Sequence, residues 1–241
     1  MFSANGIKAV LFDLDGTLRH NLPSGGEVFT DYARNLGLPI SEEDKLRAAR
    51  WEHYYFANSP EIIADHNTYK DDSEGFWLNF GHRRLVALGC QPKRADELAG
   101  ALSAYMREAY KPEVHVPQET HAILPSLQKG GYILGVVSNR DKPYQDELEQ
   151  IGLKEYFHFS LAGGEVPAYK PEPEIFQRAL ALAGASAAES VYVGDNYFAD
   201  VVGSRSAGLR PVLYDPVGLF PEADCAVISS LDELPVLLKS L

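Results

Sequence analysis

KAVLFDLDGTLRH, residues 8–20, changes character at its midpoint. Val10, Leu11 and Phe12 are apolar and strand-prone, so residues 8–12 predict a buried strand. Asp13 and Asp15 follow, one residue apart, with Gly16 and Thr17 behind them. Two carboxylates at the end of an apolar strand repel each other and resist desolvation. In extended chain alternate residues share a face, so both aspartates can address one cleft while Leu14 turns away. Gly16 permits a tight turn, and Thr17 offers a hydroxyl and a backbone amide. A strand end that needed only a turn would have no use for this pair.

Further apolar runs end in polar residues in the same way: 132–139 (YILGVVSN), 190–195 (SVYVGD) and 211–215 (PVLYD), with weaker ones at 157–163 and 225–228. Helical patterns lie between them, over 117–129, 143–151, 173–184, 198–207 and 230–239. Continuous apolar strands alternating with helices predict an α/β fold, a Rossmann-like parallel sheet covered on both faces. Ligands of such sheets bind beyond the carboxyl ends of the strands. Asp13, Ser138, Asn139 and Asp195 fall there.

Residues 19–112 break the alternation and read as helix after helix, over about 25–36, 41–58, 73–88 and 93–110. Ser41 followed by Glu42 and Glu43 is a helix start. Segments rich in Pro and Gly, 22–27 and 111–119, flank the region. The expected organisation is a catalytic core of residues 1–18 and 113–241, with an inserted α-helical module over 19–112. Insertion at a loop beside the strand ends would place that module over the site.

Bulk properties narrow the function. At 241 residues, 45% hydrophobic and 23% charged, the chain reads as an ordinary globular protein of one large or two small domains. A formal net charge of −12 with no basic run excludes nucleic acid and anionic membrane as expected partners. Cys90 and Cys225 stand apart and fit neither a disulfide scaffold nor a zinc site. They read as small buried apolar groups in a reducing, cytoplasmic setting. The N-terminal MFSANGIKAV does not read as a signal peptide, and no apolar segment is long enough to span a bilayer.

A second acidic pair lies in GDNYFAD (194–200), where Asp195 ends a strand and Asp200 falls about a turn into the next helix. Lys170 precedes Pro171 and a helix starting near Pro173. Asp13, Asp15, Asp195, Asp200 and Lys170 together carry an excess of three negative charges, which a low-dielectric cleft does not tolerate unaided. A dication and one protonated carboxyl would neutralise it, and an all-oxygen ligand set favours Mg²⁺.

DLDGT (13–17), SN (138–139), Lys170 in KPEPEIF and GDNYFAD (194–200), in this order, resemble the four motifs of the haloacid dehalogenase (HAD) superfamily. The resemblance spans nearly the whole chain, and the helical insert is similar to the superfamily's helical cap. It implies Asp13 as nucleophile, forming an aspartyl-phosphate, and Asp15 as acid/base. Mg²⁺ would be held by Asp13, the backbone carbonyl of Asp15, and Asp195. Ser138 and Lys170 would bind the phosphoryl oxygens, with Thr17 and Asn139 beside them. Asp200 would orient Lys170 or a metal-bound water. An acid at position 15 favours phosphate esters over halides, since halide leaves without a proton.

The expected activity is Mg²⁺-dependent hydrolysis of a small-molecule phosphate monoester; oligomeric state is open. The alternatives are a phosphomutase of the same superfamily, or a catalytically silent binding or regulatory protein on the same fold. In the insert, Arg47, Arg50 and His53 share a helical face. They, together with His82, Arg83 and Arg84, read as solvated. The aromatics Trp51, Tyr54, Tyr55, Phe56, Phe76, Trp77 and Phe80 read as core. Arg19 and His20 mark the exit from the first motif, and they, with Arg47, Arg50 and His53, are the candidates for contact with the leaving group.

Overall fold

Ala9–Phe12 form β1 in the computed structural model, which describes residues 6–241. The N-terminal stretch read as lacking a signal peptide begins with residues outside the described ones. After a turn at 15–18 the chain forms β2 (His20–Leu22) and enters the insert.

Five helices follow. α1 (Gly25–Asn35) and α2 (Glu42–Phe56) each start with a capping box, Ser24 with Glu27 and Ser41 with Asp44. α3 (Pro60–Thr68) starts at the Ser59 cap, α4 (Ser73–Ala87) at Asp72, and α5 (Pro92–Ala109) has proline in its first turn. Sequence reading gave four helices here and missed α3. Its signal was local, a serine cap before proline, while only Ile62 and Asp65 of its nine residues are buried.

Phe29, Ala33, Leu85, Leu88, Leu98 and Leu102 form the main core of this unit. Cys90 is buried with them. Tyr55, Ile62 and Phe80 form a second cluster, with Trp51 and Phe76 packed against it. The aromatics therefore divide: Trp77, Phe56 and Tyr54 are exposed. Arg83 and Arg84 depart from the solvated reading. Arg84 is buried, paired with Glu52 at 2.5 Å and set 5.0 Å from the Phe29 ring centroid. Arg83 pairs with the buried Asp65, which also accepts from the Tyr55 hydroxyl at 3.0 Å. Arg47 ties α2 to α4 by donating to the Ala87 carbonyl at 2.9 Å.

β3 (Glu113–His115) pairs with β2 in a two-stranded sheet, and the chain returns to the α/β pattern. The remaining elements are α6 (Gln118–Lys129), β4 (Ile133–Ser138), α7 (Gln145–Gln150), β5 (Phe159–Ala162), α8 (Pro173–Ala183), β6 (Ser190–Gly194), α9 (Gly203–Ser206), β7 (Arg210–Tyr214), β8 (Ala226–Ile228) and α10 (Leu234–Ser240). The helix expected over 198–207 is instead a π-helical stretch, Tyr197–Val202, running into the short α9. The chain divides into two compact units, Met1–His20 with His115–Leu241, and Asn21–Val114. Both boundaries fall within β2 and β3.

The sheet runs β5-β4-β1-β6-β7-β8, and each neighbouring pair is parallel. The Rossmann-like α/β reading therefore holds. Side chains alternate between two apolar layers as a pleated strand requires. Val10, Phe12, Leu134, Val136, Val191 and Val193 pack on one face, and Ala9, Leu11, Val137 and Tyr192 on the other. Strand order reverses at β1: the chain builds outward through β4 and β5, then returns to β6 on its other side. That reversal opens a crevice at the carboxyl ends of β4, β1 and β6. Among the described residues no helix is long and apolar enough to cross a membrane.

Candidate active site

Phe12 lies level with Val136 of β4 and Val193 of β6, so the residues leaving these three strands emerge at one edge. The Asp13 amide donates to the Val193 carbonyl at 2.9 Å, which fixes the buried Asp13 against β6. The turn after it comes close to Asp195. Gly16 has φ +93°, and a Cβ there would lie 2.5 Å from an Asp195 carboxylate oxygen, so only glycine fits. The buried Thr17 hydroxyl donates to Asp195 Oδ1 at 3.0 Å.

Lys170 lies at the centre. Its Nζ donates to Asp13 Oδ1 at 2.5 Å, to Asp200 Oδ1 at 2.7 Å and to the Tyr192 hydroxyl at 3.1 Å. All three ammonium donors are thereby used. Its backbone is clamped by Asn139, whose Nδ2 donates to the Lys170 carbonyl at 2.8 Å and whose Oδ1 accepts from the Lys170 amide at 2.6 Å. Asn139 thus grips the lysine's main chain. Ser138, buried at the end of β4, precedes it.

Asp200 reaches Lys170 from the π-helical stretch. The Asn196 side chain caps that stretch, accepting from the Phe198 and Ala199 amides at 3.0 Å each. Asp200 Oδ2 accepts from the Asn196 amide at 2.9 Å, leaving Oδ1 for the ammonium. π-turns recur at functional sites because the wider turn re-aims a side chain. Gly194 makes room: a Cβ there would lie 2.3 Å from the Asp200 carboxyl carbon.

One carboxylate oxygen each from Asp13, Asp195 and Asp200 lie within 4.8 Å of one another. Three carboxylates against one ammonium leave two negative charges uncompensated. Burial pushes Asp13 up to about 7, against the pull of Lys170. Burial and the neighbouring Asp13 and Asp200 carboxylates hold Asp195 well above the usual range. A hard dication fits this donor set in charge and in chemistry. So a metal can bind at the cluster.

Asp15 stands outside that cluster, half-exposed. Arg140 meets its carboxylate as a fork, Nε to Oδ2 and Nη2 to Oδ1, both at 3.0 Å. Arg19 Nη2 reaches Oδ1 at 2.5 Å. Glu147 on α7 joins both guanidiniums, bonding Arg140 through Nη1 and Nη2 and lying 3.3 Å from Arg19 Nε. Arg19 therefore engages two acids of the core.

Sequence reading missed Tyr192, Arg140 and Glu147. Arg140 directly follows Ser138 and Asn139, so position in a motif was a usable signal. Tyr192 fell within the apolar run 190–195 and Glu147 within the helical pattern 143–151, and neither was singled out.

Comparison with known proteins bears on this geometry. A family model described as haloacid dehalogenase-like hydrolase matches residues 10–213. A phosphoserine phosphatase from Thermus thermophilus is 32% identical over 238 residues, covering 90% of this chain and 91% of that protein. Among solved structures, a HAD phosphatase from Thermococcus onnurineus superposes with TM-score 0.56 at 26% identity, covering 96% of this chain and 98% of the other. A 2-haloacid dehalogenase from Pseudomonas syringae does so with TM-score 0.57 at 27% identity, covering 97% and 99%.

Proposed function

This chain belongs to the haloacid dehalogenase-like hydrolase family, and from that premise we propose that it is a Mg²⁺-dependent phosphatase of small phosphate monoesters. Asp13 is the nucleophile. One of its carboxylate oxygens attacks phosphorus, the ester P–O bond breaks, and the electron pair stays on the leaving oxygen, which takes a proton from Asp15. Water then attacks phosphorus and gives its proton to Asp15. The aspartyl P–O bond breaks, and its electron pair returns to Asp13.

Asp13, Asp195 and the Asp15 carbonyl would hold Mg²⁺, which would supply the positive charge that an anionic nucleophile needs beside an anionic ester. Ser138 holds the phosphoryl oxygens together with Lys170, which turns to them the donor it gives Asp13 before the phosphoryl group arrives. Thr17 and Asn139 fix their surroundings, and Asp200 orients Lys170. The helical unit over 19–112 acts as the family's cap and carries the choice of substrate.

The observation that supports this reading best is the buried ammonium of Lys170 shared by Asp13 and Asp200. The half-exposed carboxyl of Asp15 favours ester over halide chemistry, since an alkoxide needs a proton to leave and a halide does not. Asp13→Asn tests it. The variant stays folded, and phosphate release from a Mg²⁺-supplemented ester panel drops to background. Appreciable residual turnover rules out Asp13 as nucleophile. An isomerised phosphate ester in place of free phosphate identifies a mutase.

A further inference from the structure

The proton carrier assigned above has its side chain outside the aspartate cluster and half-exposed, yet two guanidiniums grip it. Asp15 is bound by two guanidiniums, and Arg140 holds both of its oxygens at 3.0 Å. Such a fork fixes the plane of a carboxylate as well as its place. The guanidinium is itself held on further sides. Glu147 bonds Nη1 and Nη2, and the Tyr144 ring lies 5.3 Å below the guanidinium carbon. Tyr144 is in turn pinned by its hydroxyl, which donates to the Val136 carbonyl of β4 at 2.9 Å. An unbroken chain of contacts therefore runs from the sheet to the Asp15 carboxylate.

The grip leaves room for chemistry. A carboxylate offers about four lone-pair sites. Arg140 occupies one on each oxygen, and Arg19 occupies a second on Oδ1. These three bonds leave the fourth site, on Oδ2.

We propose that Arg140, held by Glu147, is a positioning residue for Asp15, aiming its carboxyl at the leaving oxygen. This rests on the phosphatase reading and on Asp15 as its acid/base. A misaimed acid penalises only those substrates whose leaving group needs a proton. Glycerol phosphate loses an alkoxide and needs one; dinitrophenyl phosphate loses a stable phenolate and does not. kcat/KM covers the steps through the first phosphoryl transfer, so comparing the two esters isolates proton delivery.

The experiment measures kcat/KM for both esters, with Mg²⁺, on the same preparations of wild type, Arg140→Gln, Arg140→Lys and Glu147→Gln. The ratio of the two values cancels any loss of folded protein. Arg140→Gln is expected to lower the ratio of glycerol phosphate to dinitrophenyl phosphate ~100-fold, the lower range of a general-acid contribution. Arg140→Lys restores charge without the fork and is expected to keep the ratio at least ~10-fold down. Glu147→Gln shifts it in the same direction by ~10-fold through the loosened guanidinium.

An unchanged ratio in Arg140→Gln, whether both esters fall together or neither falls, overturns the proposal, as does full recovery in Arg140→Lys. Wild type that releases phosphate from neither of these esters nor from any other member of the Mg²⁺-supplemented panel defeats the phosphatase reading itself, and the proposal with it.

Discussion

Lys170 shows how much a single side chain can settle. It is buried, and its three donors go to Asp13, Asp200 and Tyr192. Lys170→Met leaves two buried carboxylates without their cation. Removing one partner of a buried ion pair costs about 3–5 kcal/mol. The variant is expected to unfold at lower urea and to lose ~10²–10³ in kcat, as when a charge-stabilising donor is removed. Stability equal to wild type would mean that the ammonium is not compensating those acids. Tyr192→Phe is a subtler test. It removes the acceptor for Lys170 and the donor to the Val137 carbonyl at 3.1 Å, at a cost of about 1–2 kcal/mol in a urea titration.

At this scale Asp13, Lys170, Asp195 and Asp200 were legible in the sequence. Asp13 and Asp195 directly follow apolar strands, Lys170 precedes the proline-rich start of α8, and Asp200 lies a turn beyond Asp195, places where a charge has no packing reason to be. Tyr192 was not legible. Its hydroxyl matters only because β6 lies one strand from β1 and two from β4, and a linear reading does not contain that neighbourhood.

Among the elements, the turn over 15–18 and the π-helical stretch carry the site. Gly16→Ala brings a Cβ against the Asp195 carboxylate at a positive φ. Backbone strain of that kind costs roughly 1–3 kcal/mol, and the displaced carboxylate is a proposed metal ligand. Mg²⁺ titrated against the thermal midpoint is expected to stabilise Gly16→Ala far less than wild type. Equal stabilisation would separate the turn from the metal site.

In the helical unit, Glu52→Gln leaves the buried Arg84 guanidinium without its anion. Glu52 is partly solvated, so a loss of about 2 kcal/mol is expected in urea, below the full cost of a buried pair. The strands and most helices followed from periodicity. α3 escaped because its nine residues bury little, and the π-helical stretch because apolar spacing does not distinguish its wider turn from an α-turn. Arg84 was misread because charge alone predicts solvent, while its burial depends on where α1 and α2 place Phe29 and Glu52.

For the molecule as a whole, proton and cation compete for the same cluster. In the folded, metal-free protein Asp13 keeps its proton up to about 7, against an ordinary value of 3.8. Between those values the folded chain binds a proton that the unfolded chain has lost. The contribution of Asp13 to stability is therefore full below about pH 4 and shrinks as pH rises through 7. Asp195, raised for the same reason, adds to the slope. Thermal midpoints in EDTA are expected to fall from pH 5 to 7.5, and added Mg²⁺ to recover more of the loss at the higher pH. Asp13→Asn should flatten the EDTA profile. A wild-type profile in EDTA already as flat as that of the variant would exclude this coupling.

The strand order has a consequence for how the protein is made. β1 leaves the ribosome first, yet the partners on its two sides, β4 and β6, begin only at Ile133 and Ser190. The 94 residues of Asn21–Val114 are synthesised in between. For that interval a fully apolar strand waits with both edges open, the condition under which nascent chains pair with the wrong neighbour. Charged residues flanking such a strand act as gatekeepers against that error. Asp13 and Asp15 stand just after the strand, where such gatekeeping charges belong.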